Sequence, residues 1–328
     1  MRVLITGGSG FIGSHCVDEA LAAGHDVRVL DNFSTSTGAN LAHVASEIEI
    51  VEADVRDLDA TAAAIQGSDI VYHLAALGSV PRSISDPVST NDNNVTGTLN
   101  VLLAARDAGV GRVVFSSSSS VYGANPNLPK REEMSGDPLA PYALSKLAGE
   151  HYCRLFTELY GLDTVRVRFF NVFGPRQMAD HVYAAVIPRF VQAAIDRTLI
   201  EVHGDGLQSR DFTYVRNVAG GLAKLRDAPT DAVSGQAFNM AAGRSTDLLT
   251  VLRRIGDCLG TEMAWEHVES RKGDIKNSLA DNSAAARQFG YEPTIDVLEG
   301  IKLTVDYFLE MQNDRPDVAA SSPVHERS

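Results

Sequence analysis

Tyr142 and Lys146 stand four positions apart just after Pro141, a spacing that puts both side chains on one face of a helix opened by the proline. A tyrosine is a poor base near neutral pH, because its ordinary pKa is about 10. An ammonium about 4 Å away contributes about 4 kcal/mol at an effective dielectric of 20, enough to bring a phenolate within reach. Such a pair could move a proton to and from a hydroxyl. Taken alone the spacing is common on ordinary helices, and a second feature gives it weight. The serines at 116–120 form an unbroken run between Val113-Val114-Phe115 and Val121-Tyr122-Gly123. Low complexity of this kind can be a linker. Here it reads as a strand end entering a turn, where open parallel sheets bind their ligands. A hydroxyl there could bond a substrate oxygen and the phenolate together.

Near the N-terminus, Gly7-Gly8-Ser9-Gly10-Phe11-Ile12-Gly13 follows a strand-like run and precedes an apolar helical pattern. Glycines at 7, 10 and 13 let the chain turn tightly and let a pyrophosphate approach backbone N–H groups at a helix N-terminus. The same turn could serve only to pack a helix on a sheet, but its context points to a dinucleotide. Asp31 ends the second β-rich run, placed to accept hydrogen bonds from adenosine ribose hydroxyls. Its charge would repel a 2′-phosphate, so NAD is expected over NADP. Asp54 and Val55, after the third run, fall where an adenine edge would lie.

These residues need a scaffold. Runs at 3–6, 27–30, 48–52, 70–74, 113–116 and 164–170 read as strands, with helical patterns at 11–23, 58–66, 94–108 and 142–160. Strands apolar on both faces and separated by helices predict an α/β fold, a Rossmann-type doubly wound parallel sheet. A dinucleotide-binding domain is expected over 1–170, with some later segments returning to it. Gly174-Pro175-Arg176 and Gly204-Asp205-Gly206 then punctuate a smaller C-terminal α/β substrate lobe, expected over 171–311, and the polar residues 312–328 are expected to be a disordered tail.

The 328 residues are 44% hydrophobic, enough to bury a large core. A net charge of −13 argues against a broad electrostatic grip on nucleic acid or anionic lipid, so an anionic ligand must be held by local arginines and backbone N–H groups. No apolar stretch approaches the roughly 20 residues that cross a bilayer. Residues 1–6 enter a strand-like run without the features of a signal peptide, and a cytoplasmic protein is expected. Cys16, Cys153 and Cys258 form no CxxC pair, and none of the nine histidines falls in an HExxH-like pattern. Neither a disulfide framework nor a metal is expected.

Together, Gly7-x-x-Gly10-x-x-Gly13, His73-Leu74-Ala75-Ala76, the 116–123 segment, Tyr142-x-x-x-Lys146 and Arg168-Phe169-Phe170-Asn171 resemble the extended short-chain dehydrogenases/reductases acting on nucleotide sugars, over nearly the whole chain to about residue 310. More narrowly, Asp31-Asn32-Phe33-Ser34-Thr35, the 75–83 segment, the 183–188 segment, Gly273-Asp274 and Ser278-Leu279-Ala280-Asp281 resemble the UDP-hexose 4-epimerases, particularly those of UDP-N-acetylglucosamine. The resemblance implies Ser118 as the catalytic serine, Tyr142 as the base and Lys146 as its partner and a ribose ligand. It implies NAD among Gly7, Gly10, Phe11, Ile12, Gly13, Asp31, Asn32, Asp54, Val55, Leu74, Ala75, Ala76, Asn93, Ser116, Tyr142 and Lys146. It implies a UDP-sugar among Ser79, Val80, Ser118, Ser119, Tyr142, Asn171, Ala185, Val186, Arg210, Arg271, Asp274 and Ser278. The arginines would present paired donors to phosphate, Asp274 would meet ribose hydroxyls, and Ala185 and Val186 would lie by the uracil. His73 is expected to pack beside the cofactor, and relatives suggest a homodimer through the helices at 94–108 and 142–160.

The reaction so implied is inversion at C4. Tyr142 takes the O4 proton while NAD takes the C4 hydride, the 4-keto sugar turns about its link to the anchored UDP, and both return. Related 4,6-dehydratases carry an Asp-Glu pair after the residue matching Ser118. Ser119 and Ser120 cannot supply that acid and base. A UDP-glucuronate 4-epimerase or another nucleotide-sugar epimerase/dehydratase remains an alternative, and a non-catalytic NAD-binding sensor a distant one. In related 4-epimerases a small residue matching Ser278 goes with N-acetylated hexoses, and a tyrosine with plain hexoses only. Ser278 could instead merely cap a loop. The expected substrates are UDP-GlcNAc and UDP-GalNAc, with UDP-glucose and UDP-galactose also accepted.

Overall fold

The six expected runs form the strands Arg2–Thr6, Asp26–Asp31, Glu49–Glu52, Ile70–His73, Arg112–Ser118 and Thr164–Phe169 in a computed structural model that describes residues 1–178, 185–269 and 276–313. All pair in parallel, and a seventh strand from the second half of the chain, Ala237–Met240, joins beside the sixth. Across the sheet the order is 237–240, 164–169, 112–118, 70–73, 2–6, 26–31 and 49–52. Strand order therefore reverses between 2–6 and 70–73, the crevice where doubly wound sheets bind ligands.

Alternating side chains fill both faces of this sheet. Val3 and Ile5 pack with Val17, Ala20, Val167 and Leu222 on one face, while Leu4 packs with Val71, Val101, Val113 and Phe156 on the other. Helices Phe11–Ala22 and Val215–Arg226 cover the first face, and Leu58–Ile65, Gly97–Asp107 and Pro141–Tyr160 the second. The expected helix at 94–108 begins instead with a π turn over Asp92–Thr96. Pro141 opens the long helix and Gly161, in the left-handed region, closes it. That helix approaches the strand Arg112–Ser118 so closely that a Cβ at Gly149 would lie 2.4 Å from the Phe115 ring. The approach lets Lys146, nearly one turn earlier, reach the strand backbone.

A further core packs helices Val186–Ile195, Leu248–Leu259 and Val297–Asn313 with the paired strands Ile200–His203 and Trp265–Val268 around Ile187, Phe190, Val202, Leu252, Ile255 and Ile301. The last helix runs two residues, Gln312 and Asn313, into the segment expected to be a tail; the rest of that expectation falls outside the described residues. No described helix is long and apolar enough to cross a membrane.

Candidate active site

The turn after strand Arg2–Thr6 closes only around glycine. Gly7 sits at φ 70°, where a Cβ would fall 2.8 Å from Ala75 backbone atoms, and a Cβ at Gly13 would fall 2.2 Å from the Gly7 carbonyl oxygen. Gly10 precedes the helix with no side-chain cap and no acidic residue in its first turn. The N–H groups of Phe11, Ile12 and Gly13 are thus offered to an anion. Asp31 accepts the Ser9 N–H at 3.0 Å on one oxygen and the Phe33 N–H at 2.9 Å on the other, tying the glycine turn to the second strand. Asn32 donates to Asp54 at 2.7 Å, and Arg56 forks onto the same carboxylate at 2.9 and 2.7 Å. Those bonds, Arg56 foremost, hold Asp54 down to about 2. Val55 is buried beside it.

Beyond strand Ile70–His73, Leu74, Ala75 and Ala76 are half-buried, and the Ala75 N–H bonds the Thr6 hydroxyl at 3.2 Å. His73 lies buried between two hydroxyls, Thr6 at 2.8 Å from Nδ1 and Thr98 at 3.0 Å from Nε2. Thr98 gives its own proton to the Asn94 carbonyl at 2.6 Å, so Nε2 carries the ring proton and Nδ1 accepts from Thr6. Burial, and secondarily Lys146, push the ring down to about 3, which makes His73 a neutral packing group. Asn93 bonds the Ser89 carbonyl of its own helical segment at 2.8 Å. Its neighbour Asn94 is the buried one, accepting the Leu77 N–H at 2.8 Å and donating to Ser145 at 3.0 Å, and the sequence reading passed it over.

Ser118 ends the strand Arg112–Ser118, and Ser119 opens the turn that follows. The Ser118 hydroxyl accepts the Ser120 N–H at 3.2 Å. Lys146 is buried, donates to the Ser116 carbonyl at 2.7 Å, and lies 5.0 Å from the centre of the Phe115 ring. Burial raises the Tyr142 phenol, the Ser118 hydroxyl opposes that rise, and no lowering by Lys146 accompanies it. The reason is that burial pushes the lysine itself down to about 7 and its donor is turned onto a carbonyl.

One turn further along the same helix face stands Glu150, which the sequence reading missed. Its carboxylate takes the Arg168 guanidinium in a fork at 2.8 and 2.7 Å and also accepts the Ser117 hydroxyl. Arg168 stacks 4.8 Å from the Tyr122 ring centre, and the Tyr122 hydroxyl donates to Asn239 at 2.6 Å. All are buried, and the satisfied network fixes the strand end that carries Ser118. The available signal was the shared helical face of 142, 146 and 150.

On the opposite side, Ser79 caps a short helix by accepting the Arg82 N–H at 3.2 Å, and Val80 is exposed at its start. Asn171 has φ 35°, and its carbonyl accepts the Thr213 N–H at 3.2 Å. Ala185 precedes, and Val186 opens, helix Val186–Ile195. Arg210 donates to the Ser209 and Lys276 carbonyls at 2.9 and 3.3 Å, and the Ser278 N–H hangs on the Ser209 carbonyl at 3.0 Å. Val121, Tyr122, Phe170, Ala241 and Ala280 pack as one cluster, joining the turn after Ser118 to the 278–280 segment. Arg271 and Asp274 lie outside the described residues, as does Tyr183. Among the described residues no His/Cys/Asp/Glu group is placed to hold a metal.

A parallel sheet with a glycine turn at its switch point and a Ser/Tyr/Lys group at the strand end two places along defines a dinucleotide-dependent enzyme. Residues 3–241 match the NAD dependent epimerase/dehydratase family, and the chain belongs to it. NAD is the family's cofactor, and the glycine turn with Asp31 fits it: open backbone N–H groups for a pyrophosphate and a carboxylate for hydroxyls. The chain is 38% identical over 312 residues to the UDP-glucose 4-epimerase of Mycolicibacterium smegmatis, covering 94% of this chain and 98% of that one. Its fold is similar to a UDP-N-acetylglucosamine 4-epimerase from Methanobrevibacter ruminantium in complex with UDP-N-acetylmuramic acid, with a TM-score of 0.89, 38% identity, and 94% and 98% of the two chains covered. It is also similar to the Thermus thermophilus UDP-glucose 4-epimerase in complex with NAD, with a TM-score of 0.85, 34% identity, and 94% and 99% covered.

Proposed function

We propose that this enzyme is a 4-epimerase of UDP-hexoses, interconverting UDP-GlcNAc with UDP-GalNAc and UDP-glucose with UDP-galactose through a transient 4-keto sugar. The observation that carries the reading is Ser118 at a strand end of the parallel sheet, with Tyr142 and Lys146 on one face of the helix that packs on that strand and Lys146 buried with its donor on the Ser116 carbonyl. The residues following Ser118 are serines, so no carboxyl pair stands ready for a competing elimination.

The N–H groups of Phe11, Ile12 and Gly13 in the Gly7–Gly10 turn would hold the NAD pyrophosphate, and Asp31 its adenosine ribose. Asn32, Asp54 and Val55 would flank the adenine, while Leu74, Ala75, Ala76, Asn93, Ser116 and Lys146 would line the remainder. When bound, NAD supplies a hydride acceptor for C4 and a positive ring charge that favours the phenolate. Tyr142 takes the O4 proton and later returns it, while Ser118 bonds O4 throughout. Lys146, in its charged form, stabilises the phenolate. Arg210 and Arg271 would grip the two phosphates, with Asp274, Asn171, Ala185 and Val186 on the uridine. Ser79, Val80, Ser119 and Ser278 would leave the hexose room to turn. The exposed Leu144, Leu155 and Leu159 on one face of helix Pro141–Tyr160 support pairing of two copies through that helix.

The test incubates purified protein, without added cofactor, with UDP-glucose, UDP-galactose, UDP-GlcNAc, UDP-GalNAc and UDP-glucuronate, and separates the products. Each hexose pair should approach one mixture from either side. Turnover of UDP-glucuronate alone would move the assignment to that epimerase, and no interconversion at all would overturn it.

A further inference from the structure

Asp211 follows Arg210 directly, and its carboxylate is fully buried. It is met by backbone N–H groups from two distant segments. One oxygen accepts from Ala242 at 2.9 Å and Gly243 at 3.1 Å; the other accepts from Gly243 at 3.1 Å and Ala280 at 3.0 Å. The 242–243 turn leaves the last strand of the main sheet, and Ala280 lies two residues beyond Ser278. Arg210 is itself paired with Thr246 in a short antiparallel ladder, and Ser278 hangs on Ser209. A single buried charge thus holds together the segments that meet around Arg210 and Ser278. Burying a carboxylate is expensive, so packing alone would be served better by an apolar side chain of the same size.

We propose that Asp211 is a positioning residue for the nucleotide-sugar site, setting the spacing between Arg210 and the 278–280 segment and thereby the affinity for the UDP-sugar. The inference rests on the UDP-hexose reading above. Burial pushes the Asp211 carboxyl up to about 6, against the lowering by its backbone bonds. The titratable side chain facing it is Tyr291, whose phenol bonds the Ala241 carbonyl at 3.0 Å; Arg210 adjoins it in the chain, and the Arg244 backbone N–H is a further lowering donor. On protonation one oxygen becomes a donor aimed at N–H groups, and a segment is released. Substrate binding favours the ionised form, so affinity falls as pH drops through about 6.

The experiment uses the NAD-loaded enzyme and UDP-glucose, whose phosphate diesters stay ionised throughout. Calorimetry should find binding up to about tenfold weaker at pH 5 than at pH 7.5. Asp211→Asn should raise KM by roughly ten- to a hundredfold, keep kcat within about threefold, retain NAD and lose the pH dependence. A folded Asp211→Asn enzyme with unchanged KM overturns the proposal, as does a variant in which only kcat falls. Where the variant does not fold, the wild type decides, and an affinity flat from pH 5 to 8 overturns it. A wild type inactive on every UDP-hexose yet binding UDP-glucose with this pH dependence would overturn the epimerase reading and leave the positioning role standing.

Discussion

Adding a single methyl group at Gly13 probes the dinucleotide turn directly. In Gly13→Ala the new Cβ would lie 2.2 Å from the Gly7 carbonyl oxygen, 2.7 Å from Gly8 Cα and 3.0 Å from the Gly7 carbonyl carbon. Non-bonded heavy atoms rest at about 3.5 Å or more, so the first contact is short by more than about 1 Å. All three neighbours are backbone, and no rotamer change relieves them. The turn must open, at about 1–3 kcal/mol of overpacking strain, and the first-turn N–H groups move with it. Losing one charge-assisted bond to a phosphate, about 1.5–3 kcal/mol, weakens NAD by roughly ten- to a hundredfold. The assay is the NAD released from purified, denatured protein, measured with a thermal melt. Gly220→Ala is the control: it sits inside helix Val215–Arg226 with nothing within 4 Å of its Cβ. It should stabilise by up to about 1 kcal/mol and keep its NAD. Wild-type NAD content and melting temperature in Gly13→Ala would refute the steric reasoning.

Tyr142→Phe should fold and retain NAD but lose epimerisation by about 10²–10⁴-fold; near-wild-type turnover would remove Tyr142 from the mechanism. Ser278→Tyr should abolish exchange of the N-acetylated pair and spare much of the plain pair, since overfilling costs about 1–3 kcal/mol; equal loss of both contradicts the pocket assignment. Lys146→Met should be inactive yet melt higher than wild type at pH 7 when both are stripped of cofactor. Burial lowers Lys146 from 10.5 to about 7, so between those values the unfolded chain holds a proton that the folded chain lacks. Native stability therefore falls as pH drops from 10.5 to 7, by a few kcal/mol at most, and methionine removes that penalty. A lower melting temperature for Lys146→Met at pH 7 would show that the ammonium is stabilised by its surroundings.

Features with local or periodic causes were legible in the sequence. The glycine turn declares itself because its spacing follows from one steric problem, and the interior strands do so because sheets buried on both faces need continuous Val- and Ile-rich runs. Tyr142 and Lys146 are readable as a pair because 3.6 residues make a turn. The seventh strand, Ala237–Met240, was not readable: Asn239 interrupts its apolar run, and only the fold supplies the Tyr122, Lys130 and Asp281 partners that bury it. Glu150 meets Arg168 18 positions away and Ser117 33 positions away, and Asp211 meets Ala280 69 positions away. No periodicity connects such separations. The Tyr142 phenol shows the same division, since its spacing from Lys146 is a property of the chain, whereas its proton affinity depends on how much water the folded protein excludes from both groups.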